Sequence, residues 1–232
     1  MALLGILGNC DIPPKEKANL IRNGLQLFYK ESVRVIESDE VCLLVTGSIF
    51  DTKDKDLLNS ETALENAYGT YAYVHCNLKT GRTIIGTDKL GHHALFYSEK
   101  NTNLLFGNFI PHLKYRLKSP TIDMEAWDEI FNTGDMLDRK TTIKGVKRLR
   151  CGEKLIIEQG VFRLHRFWSY SPVIPVGLDQ FIHENNELLS EAINKTKNYK
   201  LNKVIPLTGG QDSRRIVLAA KKCKLEFSTI TQ

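Results

Sequence analysis

The chain has 232 residues, 42% of them apolar and 25% charged, which is ordinary for a globular protein and enough for one large or two small domains. Five widely spaced cysteines (Cys10, Cys42, Cys76, Cys151 and Cys223) contain no C-x-x-C pair, which argues against structural zinc or a disulfide framework and favours a reducing cytoplasm. A net charge of +5 is too small to imply nucleic acid, no segment has the length and apolarity of a membrane span, and residues 2–7, interrupted by Gly5 with no basic residue ahead, do not read as a signal peptide.

Short strands and tight connections dominate up to about residue 166. A helix is expected over 15–29, followed by a strand pair, 33–37 with 41–46, joined around Ser38, Asp39 and Glu40. After a helix over 62–68, residues 71–76 and 83–87 form a hairpin whose exit suits Gly81. Residues 94–98 pair with 104–107, a helix over 124–131 starts after Asp123 as N-cap and stops before Gly134, and 154–157 with 161–166 make the fourth hairpin. Residues 139–150 carry Arg139, Lys140, Lys144, Lys147, Arg148 and Arg150 with no acid among them; lacking interleaved aromatics, they read as a solvated surface. His92 and His93, adjacent on an expected strand, point to opposite faces and read as hairpin surface, while Trp127, Trp168 and Tyr170 read as packing residues.

Pro172, Pro175 and Gly177 mark a linker over 171–178 between domains at 1–170 and 179–232. Asp179 can cap a helix over 180–199 with Phe181, Leu188, Leu189, Ala192 and Ile193 on one stripe. A strand over 203–207, a helix over 214–222 with Ile216, Ala219 and Ala220 on one face, and a strand over 227–231 open a parallel α/β domain, in which ligands bind at the carboxyl ends of strands. Such a unit cannot cover its own faces, so further chain, a second chain or a homodimer is expected to complete it.

Between that strand and helix stands Thr208-Gly209-Gly210-Gln211-Asp212-Ser213. Two glycines allow a ligand close to the backbone, and the amides of a following helix attract an anion. The loop lacks the Gly-Lys-Ser/Thr ending of a Walker loop and carries Asp212 there, so a phosphate guest needs a metal ion between the charges. From local chemistry alone, a plain strand-to-helix turn capped by Asp212 or Ser213 is an equal reading.

The loop resembles the Ser/Thr-Gly-Gly-x-Asp-Ser pyrophosphatase loop of ATP-dependent ligases, and other segments extend the likeness in order. They are Gly5-Ile6-Leu7-Gly8, Thr46-Gly47-Ser48-Ile49-Phe50, Gly86-Thr87-Asp88-Lys89-Leu90-Gly91 with Leu95-Phe96-Tyr97, Leu104-Leu105-Phe106, Thr142-Ile143-Lys144-Gly145-Val146, Cys151-Gly152-Glu153-Lys154-Leu155 and Phe167-Trp168. On these residues the whole chain is similar to the asparagine synthetase family. The resemblance implies an N-terminal-nucleophile hydrolase fold, α+β with two stacked antiparallel sheets between helices, and then the beginning of an α/β parallel-sheet ATP pyrophosphatase domain. It implies ATP and Mg²⁺ as cofactors, and a small-molecule or peptide carboxylate that is activated as an acyl-adenylate with pyrophosphate release and then attacked by an amine. Thr208, Gly209, Gly210, Gln211, Asp212 and Ser213 would hold ATP and pyrophosphate, with the metal at Asp212; Leu207, Ser228, Thr229 and Ile230 would lie near the adenine. Asp88 would belong to a structural turn.

The first domain departs from the family. Its nucleophilic cysteine falls at Leu4, its oxyanion asparagine at Thr46 and its amine-gripping acid at Tyr68; Cys10 would need nine residues removed to become N-terminal and reads as a buried or loop thiol. The expectation is therefore a C–N ligase with a glutaminase-like domain that has lost its activity, similar to β-lactam synthetases and lasso-peptide cyclases, with no nucleic-acid or membrane partner. The alternatives are a scaffold, regulatory subunit or split-gene half, and a glutamine-hydrolysing asparagine synthetase.

Overall fold

The computed structural model describes residues 3–8, 17–22, 24–172 and 175–231. They divide into two compact units, Met1–Ser169 and Tyr170–Gln232.

Unit 1 holds two six-stranded antiparallel sheets. The first contains β1 (Leu3–Leu7), β2 (Leu20–Arg22), β3 (Leu25–Tyr29), β8 (Phe96–Lys100), β9 (Asn103–Gly107) and β10 (Lys147–Arg148), in the order β10-β8-β9-β1-β3-β2. The second contains β4 (Arg34–Glu37), β5 (Val41–Ile49), β6 (Gly69–Asn77), β7 (Thr83–Thr87), β11 (Glu153–Glu158) and β12 (Val161–Arg166), in the order β12-β11-β7-β6-β5-β4.

Side chains alternate across each strand, so each sheet has two apolar faces to bury. Leu3, Leu7, Leu27 and Phe106 meet Leu44, Val74, Ile85 and Leu155 in a core between the sheets. The opposite face of the first sheet, with Leu4, Ile6 and Phe28, is covered by Leu113 of α3 (Ile110–Lys114) together with Ile143 and Val146. The opposite face of the second, with Leu43, Val45, Tyr71 and Tyr73, is covered by Leu57 of α1 (Asp54–Asn59) and Leu64 of α2 (Glu61–Asn66). Stacked antiparallel sheets between helices are the architecture expected for this part of the chain.

All four expected hairpins form, and α4 (Met124–Thr133) starts and stops as anticipated: Asp123 Oδ1 accepts from the Ala126 amide at 3.2 Å, and Gly134 closes the helix at φ +84°. The helix expected over 15–29 is a correction. Residues 20–29 are the β2–β3 hairpin, turning at Gly24 with φ +77°, and Leu25 and Leu27 are buried against β1; residues 15 and 16 lie outside the described residues. The left-handed glycine and the period-two burial decide for strand over helix. The helix expected over 62–68 is α2, which runs from Glu61 to Asn66 behind Ser60, whose hydroxyl accepts from the Ala63 amide at 3.3 Å, and ends at an extended Ala67; α1, just ahead of it, was not anticipated.

Unit 2 contains α5 (Leu178–Thr196), β13 (Val204–Leu207), α6 (Gln211–Lys222) and β14 (Ser228–Thr231), with β13 and β14 parallel. Ile193, Ile205 and Ala220 form its core with Leu189, Val217 and Phe227. Gly177, not Asp179, stands at the N-cap of α5, and Phe181, Leu188 and Ala192 are exposed. In α6 the inward residue is Val217 rather than Ile216, because Ser213, Val217 and Ala220 follow the i, i+4, i+7 line and Ile216 falls about 100° away from Val217.

Candidate functional sites

The loop at 208–213 leaves the carboxyl end of β13. Gly209 has φ +76°, where a Cβ is strained, and Gly210 is the N-cap of α6 with no side chain capping the first turn. The helix begins at Gln211, three residues earlier than expected, so Gln211, Asp212 and Ser213 form that first turn. Their backbone N–H groups have no helical partner and point, with the positive end of the helix dipole, out of the exposed loop. Asp212 is exposed. The Thr208 hydroxyl donates to Ser213 Oγ at 3.5 Å, and the buried Ser213 hydroxyl donates to the Gly210 carbonyl at 3.1 Å. The helix cap is Gly210 rather than Asp212 or Ser213.

Strand pairing sorts the residues beside the loop. Leu207 stands opposite Thr231, Pro206 opposite Ile230 and Ile205 opposite Thr229, whereas Ser228 stands opposite Val204 at the start of the strand, about 10 Å from the loop end. Among the described residues no group of three or more His, Cys, Asp or Glu is placed to hold a metal. Asp212 alone therefore fits only a cation that arrives with phosphate oxygens, as Mg²⁺ commonly does.

In unit 1, Leu4 is 1% exposed, pairs with Phe28 and Gly107, and lies in the apolar cluster under α3. Cys10 lies outside the described residues. Beside the start of β1 is a polar cluster that the sequence reading missed. The Leu3 amide donates to Asn108 Oδ1 at 3.1 Å, while His93 Nε2 stands 3.5 Å from both Thr46 Oγ1 and Asn108 Nδ2. Burial pushes the His93 imidazole below its usual pKa, against the pull of Asp88, so the ring is neutral near pH 7.

Asp88 organises this corner. Its carboxylate, 3% exposed, accepts the backbone N–H groups of Tyr71 (3.4 Å), Leu90 (3.2 Å), His92 (3.1 Å) and His93 (3.0 Å), as a structural turn requires. The two histidines are consequently in this turn, ahead of β8, rather than on a strand. His92 is exposed, but His93 is half-buried, which corrects the surface reading of the pair.

Tyr68 lines a cavity of about 240 Å³ with Asn66, Gly69, Lys89, Leu90 and His92. Its only carboxylate is Asp88, already committed to backbone donors, and Lys89 Nζ donates to Asn66 Oδ1 at 3.3 Å. The acid beside this wall is Asp51, whose Oδ1 accepts the Tyr68 amide at 3.0 Å.

Four of the six cations in the basic run at 139–150 meet acids within unit 1. Arg139 bonds Glu153 at 2.5 Å and Arg150 bonds Asp138 at 2.6 Å, Lys140 meets Glu129 at 2.5 Å, Lys147 pairs with Glu99, and Arg148 donates to the Gly91 carbonyl at 3.1 Å. Glu153 is 1% exposed; burial would raise its pKa, but bonds from Arg139, the Arg150 amide and Arg166 outweigh that and hold it below the ordinary range. Among the side chains of residues 139–150, Arg139 is the one that pairs with an acid of β11.

Residues 58–168 match the glutamine amidotransferase domain family, just under half of the chain and wholly within unit 1. Unit 1 is a glutamine amidotransferase-like domain. The matched stretch begins after β1, so it includes Tyr68, Asp88 and His93 but neither Leu4 nor Thr46. No curated protein matches the chain. Two solved structures that align with it are the glutamine PRPP amidotransferase of B. subtilis complexed with ADP and GMP (12% identity, 99% of this chain, TM-score 0.33) and an allosteric regulatory enzyme of purine biosynthesis (12% identity, 98% of this chain, TM-score 0.35). The chain spans 59% of the length of each. No helix among the described residues is long and apolar enough to cross a membrane.

Proposed function

We propose that this chain belongs to an ATP-dependent amide-forming ligase of the asparagine synthetase type, in which the amidotransferase-like domain no longer hydrolyses glutamine. The observation that carries the reading is the uncapped first turn of α6 behind Gly209 and Gly210, at the carboxyl end of a parallel strand. Unpaired amides, a helix dipole and a glycine that lets a ligand approach together suit a polyphosphate. The carboxylate substrate would attack the α-phosphorus of ATP, forming acyl-adenylate and releasing pyrophosphate, and an amine would then displace AMP. The loop amides and the Thr208 hydroxyl would hold pyrophosphate as charge builds on it, and Asp212 would hold Mg²⁺ at those oxygens.

Loss of glutaminase chemistry is supported by an apolar, buried Leu4 at the family's nucleophile position. Calorimetry with inorganic pyrophosphate and MgCl₂ tests the loop: saturable binding is expected, weakened at least tenfold in Asp212→Ala. No binding, or binding indifferent to that change, removes the ATP role. Ammonia release from glutamine should stay at background, and release abolished by Cys10→Ala would overturn the inactive-domain reading.

A further inference from the structure

Helix α4 turns an apolar line outward. Met124 is 72% exposed and Phe131 81%, and the partly buried Trp127 ring lies 5.9 Å from that of Phe131. These three stand at i, i+3 and i+7, one line along the helix, while the buried residue of α4 is Ala126. Ile122 and Leu137, just before and after the helix in sequence, are exposed too. A single exposed apolar side chain is ordinary, but a contiguous line of this kind marks a contact surface.

The charge on α4 has one sign. It carries Glu125, Asp128 and Glu129 and no base. Lys140 takes up Glu129 and reaches Glu125 at 3.4 Å, but the exposed Asp128 carboxylate, one turn from Met124, has no partner among the described residues.

Helix α6 offers the complement. On the side away from its buried Ala220, Leu218 is 68% exposed. Arg214, Arg215, Lys221 and Lys222 stand at i−4, i−3, i+3 and i+4 of Leu218, the positions that surround it on a helix surface. Arg214 donates to the Gly210 carbonyl and Arg215 to Asn185 and Asn186. The ammonium groups of Lys221 and Lys222 are exposed and have no partner among the described residues. Asp212, at the far end, is the one acid of the helix.

We propose that α4 of one copy of this chain packs on α6 of a second copy, with Leu218 seated against Met124, Trp127 and Phe131 while Lys221 and Lys222 meet Asp128 and Glu125. Pairing α4 with α4, or α6 with α6, would set like charges against each other across the seam. A single pair of helices this short buries less than the roughly 1,600 Å² of a standard interface, so the association is weak and depends on concentration. The inference is independent of the ligase reading, since it uses neither ATP nor the glycines of the loop.

The test is sedimentation velocity on the whole chain over a concentration series, in about 0.1 M and about 1 M NaCl, between which the Debye length falls from about 10 Å to about 3 Å. The weight-average mass should climb with concentration, with a midpoint severalfold higher in the stronger salt. Reversing the charge of one helix, by Glu125→Lys with Asp128→Lys or by Lys221→Glu with Lys222→Glu, should raise the midpoint at least tenfold. Both reversals in one chain should bring it back towards the starting value, and Phe131→Ser should abolish association. All five positions are exposed, and an unchanged melting temperature identifies each variant as folded. A chain that stays monomeric throughout, an association indifferent to both reversals, or one that the combined reversal does not restore would overturn the proposal.

Discussion

The carboxylate of Asp88 accepts the backbone N–H of His93 at 3.0 Å, and this bond sets the imidazole within reach of Thr46 and Asn108. One buried acid thereby determines the conformation of residues 88–93 and the position of the only aromatic base beside the start of β1 among the described residues. Replacing Asp88 by Ala leaves four backbone donors short of an acceptor. A loss of about 3 kcal/mol in urea unfolding is expected, the level of a hydrogen-bonded buried charge. Asp88→Asn keeps one acceptor oxygen and should lose less.

Burial lowers the pKa of both His75 and His93, opposed at His75 by the Leu58 carbonyl and Glu61 and at His93 by Asp88, while Arg82 adds to the lowering at His75. The unfolded chain then takes up protons first, near pH 6.5. Stability is fully present above that pH and is lost as the pH falls from about 6.5 towards the lower folded values. The melting temperature should decline over that interval. His93→Gln should flatten the decline, and a melting curve insensitive to pH between 7 and 5 would contradict the assignment.

Burial, then a bond to Glu37, pushes the Cys42 thiol up to about 12, and burial raises Cys76, its cross-strand partner. Cys151 is exposed. Alkylation of the native protein followed by peptide mass spectrometry should label Cys151 well before Cys42 and Cys76, which should react only on unfolding. Early labelling of Cys42 would mean that the inter-sheet core opens.

Gly5 faces the ring of Phe106, and a Cβ on it would lie 2.0 Å from Phe106 Cζ. Phe106 is fully buried and has nowhere to turn. Gly5→Ala should therefore destabilise unit 1 by roughly 1–3 kcal/mol, an over-packing cost. A combined Gly5→Ala, Phe106→Leu protein should recover part of that loss. Denaturant midpoints of the two proteins measure the difference.

The paired strands of the four hairpins were legible as short runs of β-formers bounded by turn residues: residues 41–46 and 71–76 are such runs, buried throughout, and Gly81 and Gly134 stand where the chain reverses or stops. Residues 15–29 misled because leucines at mixed spacing suit an amphipathic helix, and only the left-handed Gly24 betrays the hairpin. The face of α6 was misread because Ile216 outranks Val217 in apolarity but not in position. His93 and Asn108 were invisible as a pair because they meet only after β8 and β9 fold back. The Gly-Gly loop was legible, since its geometry depends on neighbours in sequence.

Under the proposed loss of glutaminase chemistry, Leu4 has a consequence for restoring it. Its side chain faces the helix-covered side of β1, whereas Leu3 faces the core between the sheets, the side from which Thr46 reaches His93. Installing cysteine at position 4 would put sulfur into hydrocarbon, on the far side of the strand from the imidazole. A route back to hydrolysis would need β1 to shift by one residue, exchanging every inward side chain for an outward one, a change that no single codon supplies.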